Sequence, residues 1–288
     1  MLMRGGAIME YESVSGLAIA LMVLGALLFI TVPILAAVIW KIRKKEPFTS
    51  ILAGALIFFV FVFILEKPIQ NILIFPTQMG LKEHGASLFI NARPFLWAFL
   101  VALFPGVFEE TGRLFAFKVL LKKRKQRETA ISYGIGHGGF EVVFLLGITF
   151  INNILYAVMI NTGAFGFVVD QVAQVSPDQV DQLKTIATTL AGFSVSDLLI
   201  SIFERVIAVF YHIGASILVF YACKDKKKFL LYPLSILLHT IFDGFTALQL
   251  AGIINLSGIA LEIILAVTGG IMFFLAYTML YRKDTDNI

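Results

Sequence analysis

The 288-residue chain has little of what a soluble or secreted protein needs. Its single cysteine, Cys223, excludes an intrachain disulfide and any metal site built from several thiolates. Charged residues make up only 15% of the chain, whereas 59% of its residues are hydrophobic and the mean hydropathy is +0.89. This balance excludes an ordinary soluble domain and is typical of a polytopic membrane protein. We find no internal repeat, and the first apolar run is too long for the core of a cleavable signal peptide.

Long apolar runs are what the chain has in abundance. Each is long enough to cross a bilayer as a helix, or nearly so. We predict an all-α polytopic membrane protein, a bundle of about seven transmembrane helices at residues 16–40, 51–65, 94–121, 129–160, 196–223, 229–250 and 258–281. We expect an external loop with an interfacial piece at 66–92 and a soluble external loop at 163–193. Because the fourth run is too long for one untilted span, we also expect an extension or a break near Asn152 and Asn153.

The positive charges predict the orientation of these helices. Fifteen lysines and arginines fall in clusters after the first, third, fifth and seventh runs, and five fall on the opposite side. Basic residues concentrate in cytoplasmic loops, so we predict the N-terminus outside and the C-terminus inside. Because membrane orientation explains the basic clusters, the net charge of +4 does not indicate nucleic-acid binding.

Ionisable residues occur at unexpected depth in four of the predicted helices. A charge inside a bilayer costs several kcal/mol and usually marks a function. The third helix carries Glu109, Glu110 and Arg113, and Glu109 and Arg113 share a helix face. The other helices carry His137, Glu141, Glu204, Arg205, His212, His239 and Asp243.

These residues are predicted to lie in one layer near the middle of the membrane. At a rise of about 1.5 Å per residue, the histidines and most of the acids lie roughly 12–21 Å from the basic ends of their helices. His137 and Glu141 are four residues apart, as are His239 and Asp243, so each pair projects from one face. Gly134 would let a neighbouring backbone approach beside His137.

Charge arithmetic indicates protons or a metal ion in this layer. Five acids face two arginines, and three uncompensated negative charges are untenable in a low dielectric. Either some acids or histidines hold protons, or a divalent cation lies among them. Both arrangements can activate a water molecule.

At these residues the chain resembles the glutamate-dependent intramembrane proteases, a superfamily that includes the prenyl (CAAX) endopeptidases, the bacteriocin-processing proteins and the PrsW proteases. It is most similar to the YhfC branch, which is described as intramembrane metalloproteases. The motifs are Glu109-Glu110-x-x-Arg113, Gly136-His137-Gly138-Gly139-Phe140-Glu141, Glu204-Arg205 with His212, and His239-x-x-x-Asp243. They cover most of residues 94–250.

The resemblance implies a catalytic role for several of these residues. Glu109 or Glu110 would activate water, Arg113 would hold the acid pair and Asp243 would orient His239. A divalent metal, with zinc the first candidate, or the oxyanion would be bound by His137, His239, His212 and Glu141.

The resemblance also implies where the protein acts and on what. The substrate would be a membrane peptide or protein, hydrolysed in or at the bilayer of the bacterial plasma membrane. We expect one integral membrane domain over residues 1–288, with a catalytic core at about 94–250 and peripheral helices at 16–65 and 258–281. The substrate's identity and the oligomeric state are left open.

Two other functions are compatible with the same residues. Intramembrane acids and histidines also build proton- or cation-coupled transporters, although the matched broken helices of an inverted repeat are not evident. A non-catalytic scaffold or immunity protein could keep the same fold without any chemistry.

Overall fold

The computed structural model describes residues 11–175 and 179–285, and the regular structure in these residues is helical throughout. Within them, seven helices are long and apolar enough to cross a membrane, which confirms the predicted fold class. These seven spanning helices, numbered in chain order below, are Gly16–Lys44, Phe48–Ile74, Pro94–Leu120, Glu128–Asn161, Val195–Lys224, Lys226–Leu250 and Gly258–Tyr281. The orientation of the two termini stays a prediction.

Two expectations about the connecting regions were wrong. The predicted external loop at 66–92 begins inside the second spanning helix and also contains the short helix Gly85–Asn91. The predicted soluble loop at 163–193 contains two helices, Phe165–Val175 and Val180–Ala191, and residues 176–178 lie outside the described residues. For the fourth helix, an extension or a break was expected near Asn152 and Asn153, and the helix extends through both residues to Asn161, with a π-helical segment at Val142–Gly147.

The chain divides into two compact units, and the prediction of a single integral domain is not tested by this division. In its described part, the first unit comprises residues 11–32, 143–175 and 179–202. Its segments 11–32 and 143–175 are joined by the Asn161 side chain, which donates to the Val14 carbonyl and accepts from the Val14 N–H, both at 2.8 Å. Phe29 packs edge-on against Phe150, with ring centroids 5.1 Å apart.

The second unit comprises residues 33–142 and 203–285 of the described chain and contains all the predicted site residues. Glycines allow its helices to approach at backbone distance. A Cβ on Gly136 would overlap the Ile51 carbonyl oxygen, and one on Gly134 would lie 2.7 Å from the Cα of Ile213. The fourth helix therefore packs against both the second and the fifth helices, and the second contact is the one predicted for Gly134.

The second spanning helix changes its winding halfway along. Residues Phe59–Glu66 form a π-helical segment, in which the Lys67 N–H bonds to the carbonyl of Val62, five residues earlier. Such wide turns add one residue relative to an α-helix and occur frequently at functional sites. The helix then continues as Lys67–Ile74.

A buried carboxylate joins the basic ends of the helices in the second unit. Glu46 accepts hydrogen bonds from Ser50 at 2.9 Å and from Thr129 at 2.8 Å, and Arg124 lies 3.7 Å away. All three of these contacts use Glu46 Oε1, and Arg124 also donates to Ser50 at 3.1 Å. We call Glu46, Ser50, Arg124 and Thr129 the basic-end cluster.

Candidate active site

Glu110 lies at the centre of the polar layer and is fully buried. Its Oε1 accepts from Arg113 Nη1 at 2.6 Å and from His239 Nδ1 at 2.8 Å. Its Oε2 accepts from the Ser235 hydroxyl at 2.6 Å. Both oxygens are therefore engaged by protein donors from the third and sixth helices.

Arg113 connects this carboxylate to the fifth helix. Its Nη2 lies 2.6 Å from His212 Nδ1 and 3.6 Å from Glu109 Oε2. A guanidinium can only donate, so His212 Nδ1 accepts and the proton of a neutral His212 lies on Nε2. That nitrogen is paired with Glu141 Oε2 of the fourth helix.

Glu109 pairs with the histidine of the fourth helix. His137 Nε2 lies 2.8 Å from Glu109 Oε2, and the imidazole is fully buried. The Phe58 ring packs edge-on against it with centroids 4.9 Å apart, which fixes the plane of the imidazole. His137 Nδ1 is buried and has no hydrogen-bond partner among the described residues.

A polar cavity of about 300 Å³ adjoins these pairs. Glu110 and His137 lie behind its wall, whereas Glu109 forms part of it. His239 Nε2 lies 3.5 Å from Asp243 Oδ2, and Arg205 Nη1 lies 3.1 Å from Glu141 Oε1. The predicted residues that line the cavity are Glu109, Glu141, Glu204, Arg205, His212, His239 and Asp243.

The structure therefore brings the predicted polar residues of four helices together. The predicted ion pair of Glu109 with Arg113 forms, but Glu110 lies closer to the guanidinium, at 2.6 Å against 3.6 Å. The side chain of Glu204 is paired with that of its neighbour Arg205.

Several polar residues of the cavity were missed by the sequence interpretation. Lys67 and Gln70 line it, and Lys67 Nζ donates to Gln70 at 3.2 Å and pairs with the fully buried Glu66 at 3.1 Å. Their spacing places them on one helix face, which was a usable signal. Glu262 also lines the cavity, and its Oε2 is buried.

Three of these side chains could together hold a metal ion. Glu109, His137 and His212 each offer a ligand atom, and the three atoms lie within 4.8 Å of one another. The predicted ligand set contained His137, His212, Glu141 and His239. In the structure His239 Nδ1 instead donates to Glu110. Glu141 contacts the group of three through its pairing with His212.

The chemistry of this group fits a divalent cation such as zinc. Imidazole nitrogens and carboxylate oxygens are the ligands of catalytic zinc sites. Here His137 Nε2 faces a Glu109 oxygen, and His212 Nε2 faces a Glu141 oxygen. A neutral His137 can carry its proton on Nδ1, which leaves the Nε2 lone pair for a cation held together with the Glu109 carboxylate.

Comparison with known proteins gives matches that extend over most of the chain. The family model described as YhfC intramembrane metalloprotease matches residues 28–280. A protein of Bacillus subtilis (strain 168), described as an uncharacterized membrane protein YhfC, is 31% identical over 252 residues, which are 87% of this chain and 91% of that protein. No solved structure matches the chain.

Proposed function

Because this chain belongs to the YhfC intramembrane metalloprotease family and is an integral protein of the bacterial membrane, we propose that it is an endopeptidase that hydrolyses peptide bonds of membrane or membrane-associated substrates. One observation carries the proposal. Glu109 both lines a polar cavity within the membrane-spanning helices and lies 2.8 Å from a buried histidine. A carboxylate in this position has access to water and to the groups that can activate it.

Glu109 is the residue that activates water. Its contacts with His137, Arg113 and His212 all use Oε2. Oε1 is then the oxygen that can take a proton from a water molecule in the cavity. As the water oxygen bonds to the peptide carbonyl carbon, that proton moves to Glu109 and later to the leaving nitrogen, so the C–N bond breaks to give a carboxylate and an amine.

His239 is the candidate donor to the oxyanion. Its Nδ1 donates to Glu110, which fixes the ring, and its Nε2 faces the cavity beside Asp243. A ring protonated on both nitrogens can donate from Nε2 to the oxygen on which negative charge develops. Asp243 would hold this ring orientation from the cavity side.

His137 and His212, with Glu109, would hold the divalent cation. When bound there, the cation supplies Lewis-acid chemistry that polarises the carbonyl and the attacking water. Glu110 and Arg113 are positioning residues, because Glu110 is closed off from the cavity by its donors and Arg113 spans Glu109, Glu110 and His212. Removing such supporting contacts typically costs about 10- to 100-fold in metal affinity or activity.

The test is proteolysis by the purified protein in liposomes. Membrane proteins from a bacterium that lacks the protein would be co-reconstituted with it in water enriched in ¹⁸O, and new termini identified by mass spectrometry. We expect new carboxyl termini that carry ¹⁸O, produced by the wild type and by Glu83→Gln, a change in an exposed acid of a connecting segment. Equal cleavage by Glu109→Gln and the wild type would contradict the assignment of the base, and absence of cleavage by the wild type would contradict the proposed activity.

A further inference from the structure

A second recess in the same unit is almost wholly apolar. It has a volume of about 490 Å³ and lies along the sixth and seventh helices, against the fifth. Leu234, Ile271, Leu275 and Met279 line it, and each is between 41% and 56% exposed. In a membrane such a surface faces hydrocarbon, and we call it the apolar groove.

The apolar groove opens at one end into a basic recess. This recess has a volume of about 450 Å³, is lined by Lys224, Lys228 and Lys283, and shares Met279 and Leu280 with the groove. Asp225 and Asp284 also line it, and Lys224 pairs with Asp284 at 2.6 Å. Three lysines against two aspartates leave one net positive charge at the end of an apolar channel.

At its other end, the apolar groove is separated from the polar cavity by a single layer of aromatic rings. Tyr211 and Phe242 line both spaces, and their rings stack with centroids 4.2 Å apart. Whatever fills the groove therefore packs against one wall of the polar cavity.

We propose that the apolar groove and the basic recess together bind one anionic phospholipid. The acyl chain lies along Leu234, Leu238 and Leu275, and the phosphate lies among Lys224, Lys228 and Lys283. A phosphodiester carries one negative charge, which matches the net charge of the recess, and basic pockets between membrane helices bind anionic lipid head groups. A phosphatidylcholine, whose head group is neutral overall, satisfies the apolar groove but not the recess.

The size of the groove favours an acyl chain over a substrate helix. A spanning helix about 30 Å long and 10 Å across occupies roughly 2,400 Å³. The groove offers about 490 Å³. A single file of methylene groups fits that space, and the buried methylenes supply the affinity.

Lipid binding can be measured on the full chain in mild detergent, without any assay of proteolysis. Thermal unfolding would be followed during separate titrations with dioleoyl phosphatidylglycerol, dioleoyl phosphatidylcholine and inorganic phosphate. We expect the melting temperature to rise and saturate with phosphatidylglycerol alone. An equal rise with phosphatidylcholine or with phosphate would overturn the proposal.

Matched lysine variants test the recess. Replacing Lys228 and Lys283 with glutamine should weaken phosphatidylglycerol binding about 30-fold, since each basic residue near a lipid surface contributes a factor of roughly five. Replacing Lys226 and Lys227, two exposed lysines that do not line the recess, makes the same change in net charge and should alter binding less than about twofold. Equal weakening in the two double variants would mean that the lysines act only through net charge and would overturn the site.

A groove-filling variant tests where the acyl chain lies. Leu275→Trp should abolish the lipid-dependent rise while all three lysines remain. If this variant does not fold, Met279→Trp, at a position 56% exposed on the rim, serves the same purpose. Undiminished binding in a folded variant, or a peptide recovered with the purified protein in place of lipid, would contradict the proposed occupant.

Discussion

Glu46 and Glu109 are both buried glutamates in the second unit, 4% and 6% exposed, yet their surroundings differ in kind. Glu46 accepts from two hydroxyls in the basic-end cluster and has an arginine beside it. Glu109 lines a polar cavity, and its Oε2 contacts both His137 and Arg113. A buried charge is thus not by itself a sign of chemistry. The sign is a buried charge that still reaches a cavity.

The largest expected difference between the two glutamates is in catalysis. Glu109→Gln should lower the proteolytic rate by about 10²- to 10⁴-fold, because the amide cannot take a proton from water. Glu46→Gln should leave the rate per folded molecule unchanged, since the basic-end cluster is separate from the proposed chemistry. Initial rates on the substrate identified by mass spectrometry, corrected for the folded fraction, measure both. A comparable loss of rate in both variants would remove the distinction drawn between the two sites.

Metal content should distinguish the histidines of the site, His137 and His212, from His84. We expect about one divalent ion per chain in the wild type and none in the His137→Ala, His212→Ala double variant, because both imidazole ligands are lost. His84→Ala should keep its metal, since His84 caps the short helix Gly85–Asn91. Elemental analysis of the purified proteins measures this without reference to activity.

Elemental analysis of a His239 variant tests whether this histidine is also a metal ligand. Because His239 is not among the three side chains whose ligand atoms lie within 4.8 Å of one another, we expect His239→Ala to keep its metal while it loses activity. Loss of metal from this variant would restore His239 to the ligand set predicted from the sequence.

A smaller effect is expected where helices touch through glycine. Gly136→Ala forces a methyl group against the Ile51 carbonyl oxygen and should destabilise the fold by about 1–3 kcal/mol, the usual cost of overpacking. Gly270→Ala adds its methyl group in open space and should be neutral or stabilising by up to about 1 kcal/mol through helix propensity. Thermal unfolding in detergent compares the two. Equal stabilities would argue against the close contact of the second and fourth helices.

The smallest expected effect is the stability change of Glu46→Gln. Both hydroxyls, of Ser50 and Thr129, donate to the same oxygen of Glu46, and an amide oxygen in that place can still accept from them. Only the attraction between the carboxylate and Arg124 is lost. We expect a cost of about 0.5–1.5 kcal/mol, which is the net value of one ordinary hydrogen bond. A larger loss of stability would show that this cluster contributes more to folding than its partly exposed arginine suggests.

Much of the fold could be predicted because hydropathy and basic clusters mark helix ends. The third helix was expected at 94–121 and is Pro94–Leu120. The second was expected to end at Leu65, and Glu66 and Lys67 were assigned to the loop that follows. They continue the helix, in which the Gln70 amide donates to the Val101 carbonyl of the third helix at 3.3 Å. This contact with another helix is not visible in the local sequence.

Part of the site's membership could be predicted, but Lys67, Gln70 and Glu262 were missed, and the pairing of the side chains was not predicted. Depth along each helix placed the acids and histidines in one layer, and the structure brings them together. Helical spacing could not decide that Arg113 lies nearer to Glu110 than to Glu109, because that depends on side-chain rotamers. Nor could it show that Glu110 is sealed by Ser235, a residue from another helix.

The π-helical segment at Phe59–Glu66 affects which deletions this helix can tolerate. It contains the equivalent of one additional residue, and its wider turns accommodate that residue without changing which side chains of the following helix face the cavity. Deleting one residue between Phe59 and Leu65 would restore ordinary winding and leave Lys67 and Gln70 facing the cavity. Deleting one residue from the α-helical segment Phe48–Phe58 would instead turn Lys67 and Gln70 by about 100° around the helix axis relative to the residues before the deletion. The π-helical segment is therefore the place where this helix can lose one residue and keep its polar half in the cavity wall.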